Sequence, residues 1–124
     1  PAYGAGKAAV DKMSHDMAVD FRPYNVAVVS IWMGLLLTER SRRVFDAEPD
    51  KYADLVATAE TPEFTGRVID ALAHDPARME KSGRVLIGAE LGEEYGIADA
   101  NGCNPVSHRA FFGDPTCFGD AVVA

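Results

Sequence analysis

The sequence is short of several things, and each shortage excludes a class of protein. Only two of its 124 residues are cysteine, Cys103 and Cys117, and no C-x-x-C occurs. Together with His108 they make neither a zinc spacing nor a dense disulfide framework, so both are expected to be reduced thiols. Basic residues are the minority, with 12 Lys plus Arg against 19 Asp plus Glu, a net charge of -7 and a pI near 4.8. That is the wrong sign for general binding to a phosphate backbone, and no nucleic-acid partner is expected. No apolar run approaches the roughly 18 residues that span a bilayer, and the N-terminus lacks the basic region and apolar stretch of a signal peptide. These absences lead to the expectation of a soluble, cytoplasmic protein with no membrane partner. His15, His74 and His108 are scattered without ligand spacing. They read as surface or capping histidines, and no metal is expected.

What is present is ordinary globular composition. The hydrophobic set makes up 48% and charged residues 25%, which excludes a mainly disordered chain. A chain this long suggests one domain that buries about two-thirds of its unfolded surface.

Along the chain, residues 7–21 carry a partial helical stripe of Ala8, Ala9, Met13, Met17, Val19 and Phe21. Arg22-Pro23-Tyr24-Asn25 stops it, because proline disfavours helix at the preceding residue and Asn suits a turn. Residues 26–32 (Val-Ala-Val-Val-Ser-Ile-Trp) are apolar almost without alternation, the pattern of a strand buried on both faces. Arg40, Arg42 and Arg43 read as a solvated helix face, and Asp46, Glu48 and Asp50 as a solvated loop beside Pro49. A helix is predicted over 50–60. A second starts at Thr61-Pro62-Glu63, which offers an N-cap, a proline at the first helical position and an acid in the first turn. Its apolar face is Phe64, Val68, Ile69 and Leu72, and Asp75-Pro76 ends it. Residues 84–89 form a second short strand, and one more turn is predicted over 91–95. The tail, 103–124, mixes Gly, Pro and aromatics without a period; it is expected to be irregular and docked by Phe111, Phe112 and Phe118.

The order helix, strand, helix, helix, strand predicts an α/β class with a parallel sheet of two strands and flanking helices. So small a sheet is marginal by itself, which implies further strands from elsewhere.

Tyr3 and Lys7 stand four apart, so on a helix they share a face and can converge on one ligand. A phenol beside an ammonium is a competent proton donor and acceptor for interconverting carbonyls and alcohols. The spacing alone is weak. Gly4-Ala5-Gly6-Lys7 is not a phosphate loop, because Ala8 stands where a Ser or Thr should hold the metal.

The surroundings strengthen the pair. Tyr3-Gly4-Ala5-Gly6-Lys7-Ala8-Ala9-Val10-Asp11-Lys12, the strand, and Trp32-Met33-Gly34-Leu35-Leu36-Leu37-Thr38-Glu39 resemble the C-terminal half of the short-chain dehydrogenase/reductase family. There a Y-x-x-x-K pair opens a long helix, and the next strand ends in P-G-x-x-x-T. Lys81-Ser82-Gly83-Arg84-Val85-Leu86-Ile87-Gly88-Ala89-Glu90-Leu91, with Tyr95-Gly96 and Asp99 beyond, is similar to that family's last strand and following turn. The resemblance covers about residues 1–102.

The resemblance implies the C-terminal part of a Rossmann-like doubly wound parallel sheet, with 1–124 as the catalytic and substrate-binding half. It implies NAD or NADP as cofactor and a small carbonyl or alcohol as substrate. Tyr3 would be the acid/base; Lys7 would hold the nicotinamide ribose and favour the phenolate. Met33, Gly34, Leu36 and Thr38 would line the nicotinamide and its phosphates, largely through backbone groups. Met33 departs from the family's proline and so loses a φ restraint. Residues 35–60 would be the variable substrate lid, and Leu35, Leu36 and Leu37 suit either a hydrophobic substrate or the core. The family's glycine-rich loop, its serine about a dozen residues before the tyrosine and its relay asparagine have no counterpart here. With the chain opening on Pro1, this leads to the expectation of about half a larger domain, associating with its other half or with a second copy. An inactive half-domain serving only as an oligomerisation module is the alternative.

Overall fold

The computed structural model describes residues 1–121, so the last three residues of the predicted irregular tail lie outside the described residues. Its elements are α1 (Ala2–Phe21), a 3-10 turn (Arg22–Tyr24), β1 (Ser30–Trp32), α2 (Glu39–Ala47), α3 (Pro49–Ala57), α4 (Pro62–His74), α5 (Arg78–Lys81), β2 (Val85–Ile87), α6 (Gly88–Tyr95) and α7 (Arg109–Phe112). Helix α1 starts earlier than its stripe predicts, with Tyr3 already in the first turn. Asn25, left-handed at φ 58, closes the turn after it.

The sheet has two parallel strands in register Ser30↔Val85, Ile31↔Leu86 and Trp32↔Ile87. Both are shorter than predicted. Residues 26–29 lie outside the ladder, and Gly88 and Ala89 open α6. Strand alternation sends neighbouring side chains to opposite faces. Ser30 and Trp32 turn toward α1, where both donate to Asp11, at 2.6 and 3.1 Å. Ile31 and Leu86 turn the other way, onto a core of Phe64 and Val68 from α4 and Leu91 from α6. Helices therefore cover both faces, which makes this the partial Rossmann-like α/β layer that the sequence predicts. Gly92 is required by closeness: a Cβ there would lie 2.5 Å from Phe64 Cζ.

Helix α1 runs antiparallel to the strands. Asp11 meets Ser30 and Trp32, while one turn later His15 meets Gly83, just before β2. The N-terminus of α1 therefore projects past the carboxyl ends of the strands. His15 is buried, which corrects the reading of a surface or capping residue. Its Nδ1 lies 3.0 Å from the Gly83 carbonyl and its Nε2 2.9 Å from the Gly119 carbonyl. Phe118 rests on the ring, with centroids 5.3 Å apart. His74 is exposed on α4, and His108 stands half-buried at the start of α7. Phe118 thus helps dock the tail as expected, but Phe111 and Phe112 do not: both are exposed, at the end of a four-residue helix within the tail.

Candidate functional site: a helix end and a loop at the carboxyl ends of the strands

The helix brings Tyr3 and Lys7 together, with Lys7 Nζ 5.6 Å from the centre of the Tyr3 ring. They lie one and two turns beyond Lys7's neighbour Asp11 on the way to the helix start, about 6 Å (Lys7) and 12 Å (Tyr3) from it along the axis. Tyr3 is 80% exposed. No residue among those described hydrogen-bonds its hydroxyl.

At the same end, residues 33–38 leave β1. Met33, in the position of the family's proline, is exposed, and Leu35, Leu36 and Leu37 are each half-buried. Thr38 is the N-cap of α2 and accepts a hydrogen bond from the Ser41 amide at 3.2 Å, which is what a β-region Thr before a helix does. The Ser41 hydroxyl in turn donates to the Leu36 carbonyl at 2.6 Å. Arg40, Arg42 and Arg43 lie on the exposed surface of α2, as predicted. The predicted helix over 50–60 ends sooner, α3 closing at Ala57.

That early end releases Glu60, which sequence reasoning had placed inside a helix and given no role. Glu60 is 2% exposed. Its main chain makes an isolated parallel bridge with Leu36, its N–H donating to the Leu35 carbonyl and its carbonyl accepting from the Leu37 amide, both at 2.9 Å. Its side chain reaches further along the same loop, where Oε1 accepts the Gly34 N–H at 2.7 Å. Gly34 is glycine because of what stands behind it. A Cβ there would be 2.7 Å from His108 Nε2 and 3.1 Å from Glu60 Oε2.

Burial pushes the Glu60 carboxyl above the ordinary carboxylate range and the Asp99 charge adds to the rise, while the Gly34 N–H opposes it. Asp99 is buried too, which pushes its pKa up, but the Thr61 hydroxyl and amide and the Ala100 amide outweigh this and hold it low. The Thr61 amide bond is 2.8 Å. Asp99 therefore satisfies the start of α4 while the Thr61 side chain, predicted to cap it, makes no capping bond. No signal in the sequence marks Glu60 except its place just ahead of a Thr-Pro helix start.

Three backbone groups of the loop are thus taken by Glu60 and a fourth by Ser41. The Leu36 N–H has no hydrogen-bond partner among the described residues. A free N–H donor on an anchored loop fits the amide carbonyl or a phosphate oxygen of a dinucleotide. This arrangement defines a parallel α/β layer of the kind that takes ligands at the carboxyl ends of its strands.

Comparison with known proteins gives the family. A family profile described as short chain dehydrogenase matches residues 1–49. The chain is 38% identical over 108 residues to the mouse (Mus musculus) protein called dehydrogenase/reductase SDR family member 1, covering 81% of this chain and 34% of that one. It is 36% identical over 107 residues to the human (Homo sapiens) protein of the same name, again covering 81% of this chain and 34% of that one. The chain belongs to the short-chain dehydrogenase/reductase family. It spans about a third of the length of these curated relatives. No helix among the described residues is long and apolar enough to cross a membrane.

Proposed function

We propose that this chain supplies the acid/base pair and the nicotinamide-facing loop of an NAD(P)-dependent oxidoreductase that interconverts a carbonyl and an alcohol. The cofactor, NAD or NADP, would supply the hydride chemistry when bound. Tyr3 would give a proton to the substrate oxygen during reduction and take it back during oxidation. Lys7 would bind the ribose hydroxyls and favour the ionised phenol beside it. Gly34, Leu36 and Thr38, with Met33 at the loop's start, would meet the cofactor largely through main-chain groups. The observation that carries this reading is the Tyr3–Lys7 approach of 5.6 Å on a helix end that points past the strand ends from which the 33–38 loop departs. We extend the reading to a cytoplasmic location, where the exposed thiols Cys103 and Cys117 would stay reduced.

Replacement of the acid/base tests the assignment. In the intact protein Tyr3→Phe is expected to lower NAD(P)H-dependent carbonyl reduction by about 10²- to 10⁴-fold while leaving cofactor affinity near its original value. Full turnover by the variant would remove Tyr3 from the role.

A second reading, an association module, is favoured by the sheet itself. Among the described residues β1 has β2 on one side and no strand on the other. Val26 and Val29, in the segment that leads into β1, line an apolar groove with Ile69 and Leu72 of α4. Unpaired edges of this kind recruit strands, from another part of the protein or from a second copy. Sedimentation of the 124-residue chain as a folded, strictly monomeric 13.3 kDa particle would refute this reading.

A further inference from the structure

We propose that Glu60 is a positioning residue for dinucleotide binding, its carboxylate fixing the Gly34 peptide so that the free Leu36 N–H is presented to the nicotinamide side of the ligand. The inference rests on the oxidoreductase reading above and extends it to a residue outside the motifs that suggested it.

A short loop that must hold a planar ligand has two ways to wander: its peptides can rotate, and its backbone can slide along the strand end. The main-chain bonds from Glu60 to Leu35 and Leu37 prevent sliding. They do not fix the peptide before Gly34, a residue whose missing side chain leaves its backbone the freest of the loop. The Glu60 carboxylate closes that gap, accepting the Gly34 N–H at 2.7 Å from a site 26 residues away. Charge-assisted hydrogen bonds are roughly twice as strong as neutral ones, more so where water is excluded. Glu60 is almost fully buried, and a buried carboxylate is retained only where it has such partners. Here Gly34 N–H, Leu35 C=O, Leu36 C=O and Leu37 N–H are engaged, and Leu36 N–H, which lies between them, is one of the loop donors without a partner among the described residues. The carboxylate also occupies the space behind Gly34, so loop and acid fix each other's position.

Residue-resolved amide exchange on the cofactor-free intact protein, combined with NADH and NADPH titrations, tests the proposal. In Glu60→Ala, exchange of the Gly34 amide is expected to speed up roughly ten- to hundredfold, the range for a lost hydrogen bond to a charged group. The Leu37 amide, bonded to the Glu60 main chain, should keep its protection. Dinucleotide affinity should fall by about tenfold, with kcat recovering at saturating cofactor, since only binding is impaired. Glu60→Asp, which keeps the charge but withdraws it by one methylene, should behave like Glu60→Ala and covers the case in which the alanine variant does not fold. Glu60→Gln, whose amide oxygen can still accept from Gly34, should restore both readouts. Unchanged Gly34 exchange, Gly34 and Leu37 loosening together, or unaltered dinucleotide affinity would each overturn the proposal. Failure of the unmutated protein to bind either dinucleotide would instead overturn the oxidoreductase reading, and the positioning role with it.

Discussion

The Tyr3–Lys7 pair and the 33–38 loop stand at the same end of the layer, yet they are built in opposite ways. The pair is made by one helix alone: its spacing sets the side chains side by side, and the first turns of α1 are exposed. The loop is made by the tertiary structure. It is tied to Glu60 by one side-chain and two main-chain bonds, and Glu60 is followed directly by Thr61, which Asp99 holds at the head of α4. Groups that exchange protons must reach their ligand, so exposure serves them. A surface that orients a ligand must not move, and its rigidity has to come from buried partners.

If the loop depends on the core and the pair does not, removing core beneath α4 should separate them most. Phe64 is fully buried, one turn beyond Glu60, and packs against Gly92 and Leu91. Phe64→Ala is expected to cost about 3–5 kcal/mol, read by chemical denaturation. Loop amides should lose protection in that variant before those in the middle of α1. Equal loss in both would break the comparison. Gly34→Ala acts closer in and should cost less, about 1–2 kcal/mol of overpacking. Its methyl group must displace His108, whose half-buried ring can swing away, or the Glu60 carboxylate, which is held. Structure determination of the variant should therefore find His108 moved and the Glu60–Gly34 bond kept.

A smaller effect depends on pH. Burial raises the pKa of Glu60 above its ordinary value, so the folded protein binds this proton more tightly than the unfolded chain does. Its contribution to stability is full below that value and is lost as pH rises through the folded pKa. The stability of the original protein relative to Glu60→Gln should accordingly decline as pH increases from about 4 toward neutrality. Glu90 gives the contrary slope. Arg109 holds its carboxyl down at about 2, with burial opposing and the Ser107 hydroxyl assisting, so its contribution persists at neutral pH and disappears only as pH falls toward that value. Paired urea titrations of Glu60→Gln and Glu90→Gln across pH should therefore diverge in sign.

The same contrast explains what could be read in the sequence. Local rules suffice for most of α4, which starts at Pro62 with Glu63 in its first turn and buries Phe64, Val68 and Leu72 as predicted, although Ile69 of the predicted face is exposed and Thr61 makes no side-chain cap, and for the Tyr3–Lys7 face. The two-stranded parallel sheet also follows, because a β-branched run reports burial. Where the run stops being laddered is a tertiary matter, so β1 and β2 are shorter than the runs that predict them. The burial of His15 is decided by carbonyls at Gly83 and Gly119, far off in sequence, and Glu60 by a loop that precedes it by 26 residues. A polar residue buried by distant partners leaves no period behind. The exposed Phe111 and Phe112 show the converse, since aromatic side chains signal burial that the local fold need not supply.

The smallest expected effect tests the other half of the comparison. If the pair owes nothing to the fold, the fold should owe nothing to the pair. The Tyr3 hydroxyl makes no hydrogen bond among the described residues, and the contact of Tyr3 with Lys7 is an exposed cation–ring approach at 5.6 Å. Such contacts contribute at most about 0.5–1 kcal/mol. Tyr3→Phe keeps the ring, and with it the contact with Lys7, so its unfolding free energy should stay within about 0.5 kcal/mol of the original. Lys7→Met removes the charge but keeps a helix-favouring side chain, and it should do little more. A shift above about 1 kcal/mol in either variant would mean that the start of α1 is packed against something and that the pair belongs, like the loop, to the tertiary structure. Activity lost with stability unmoved is the outcome expected of side chains kept for chemistry.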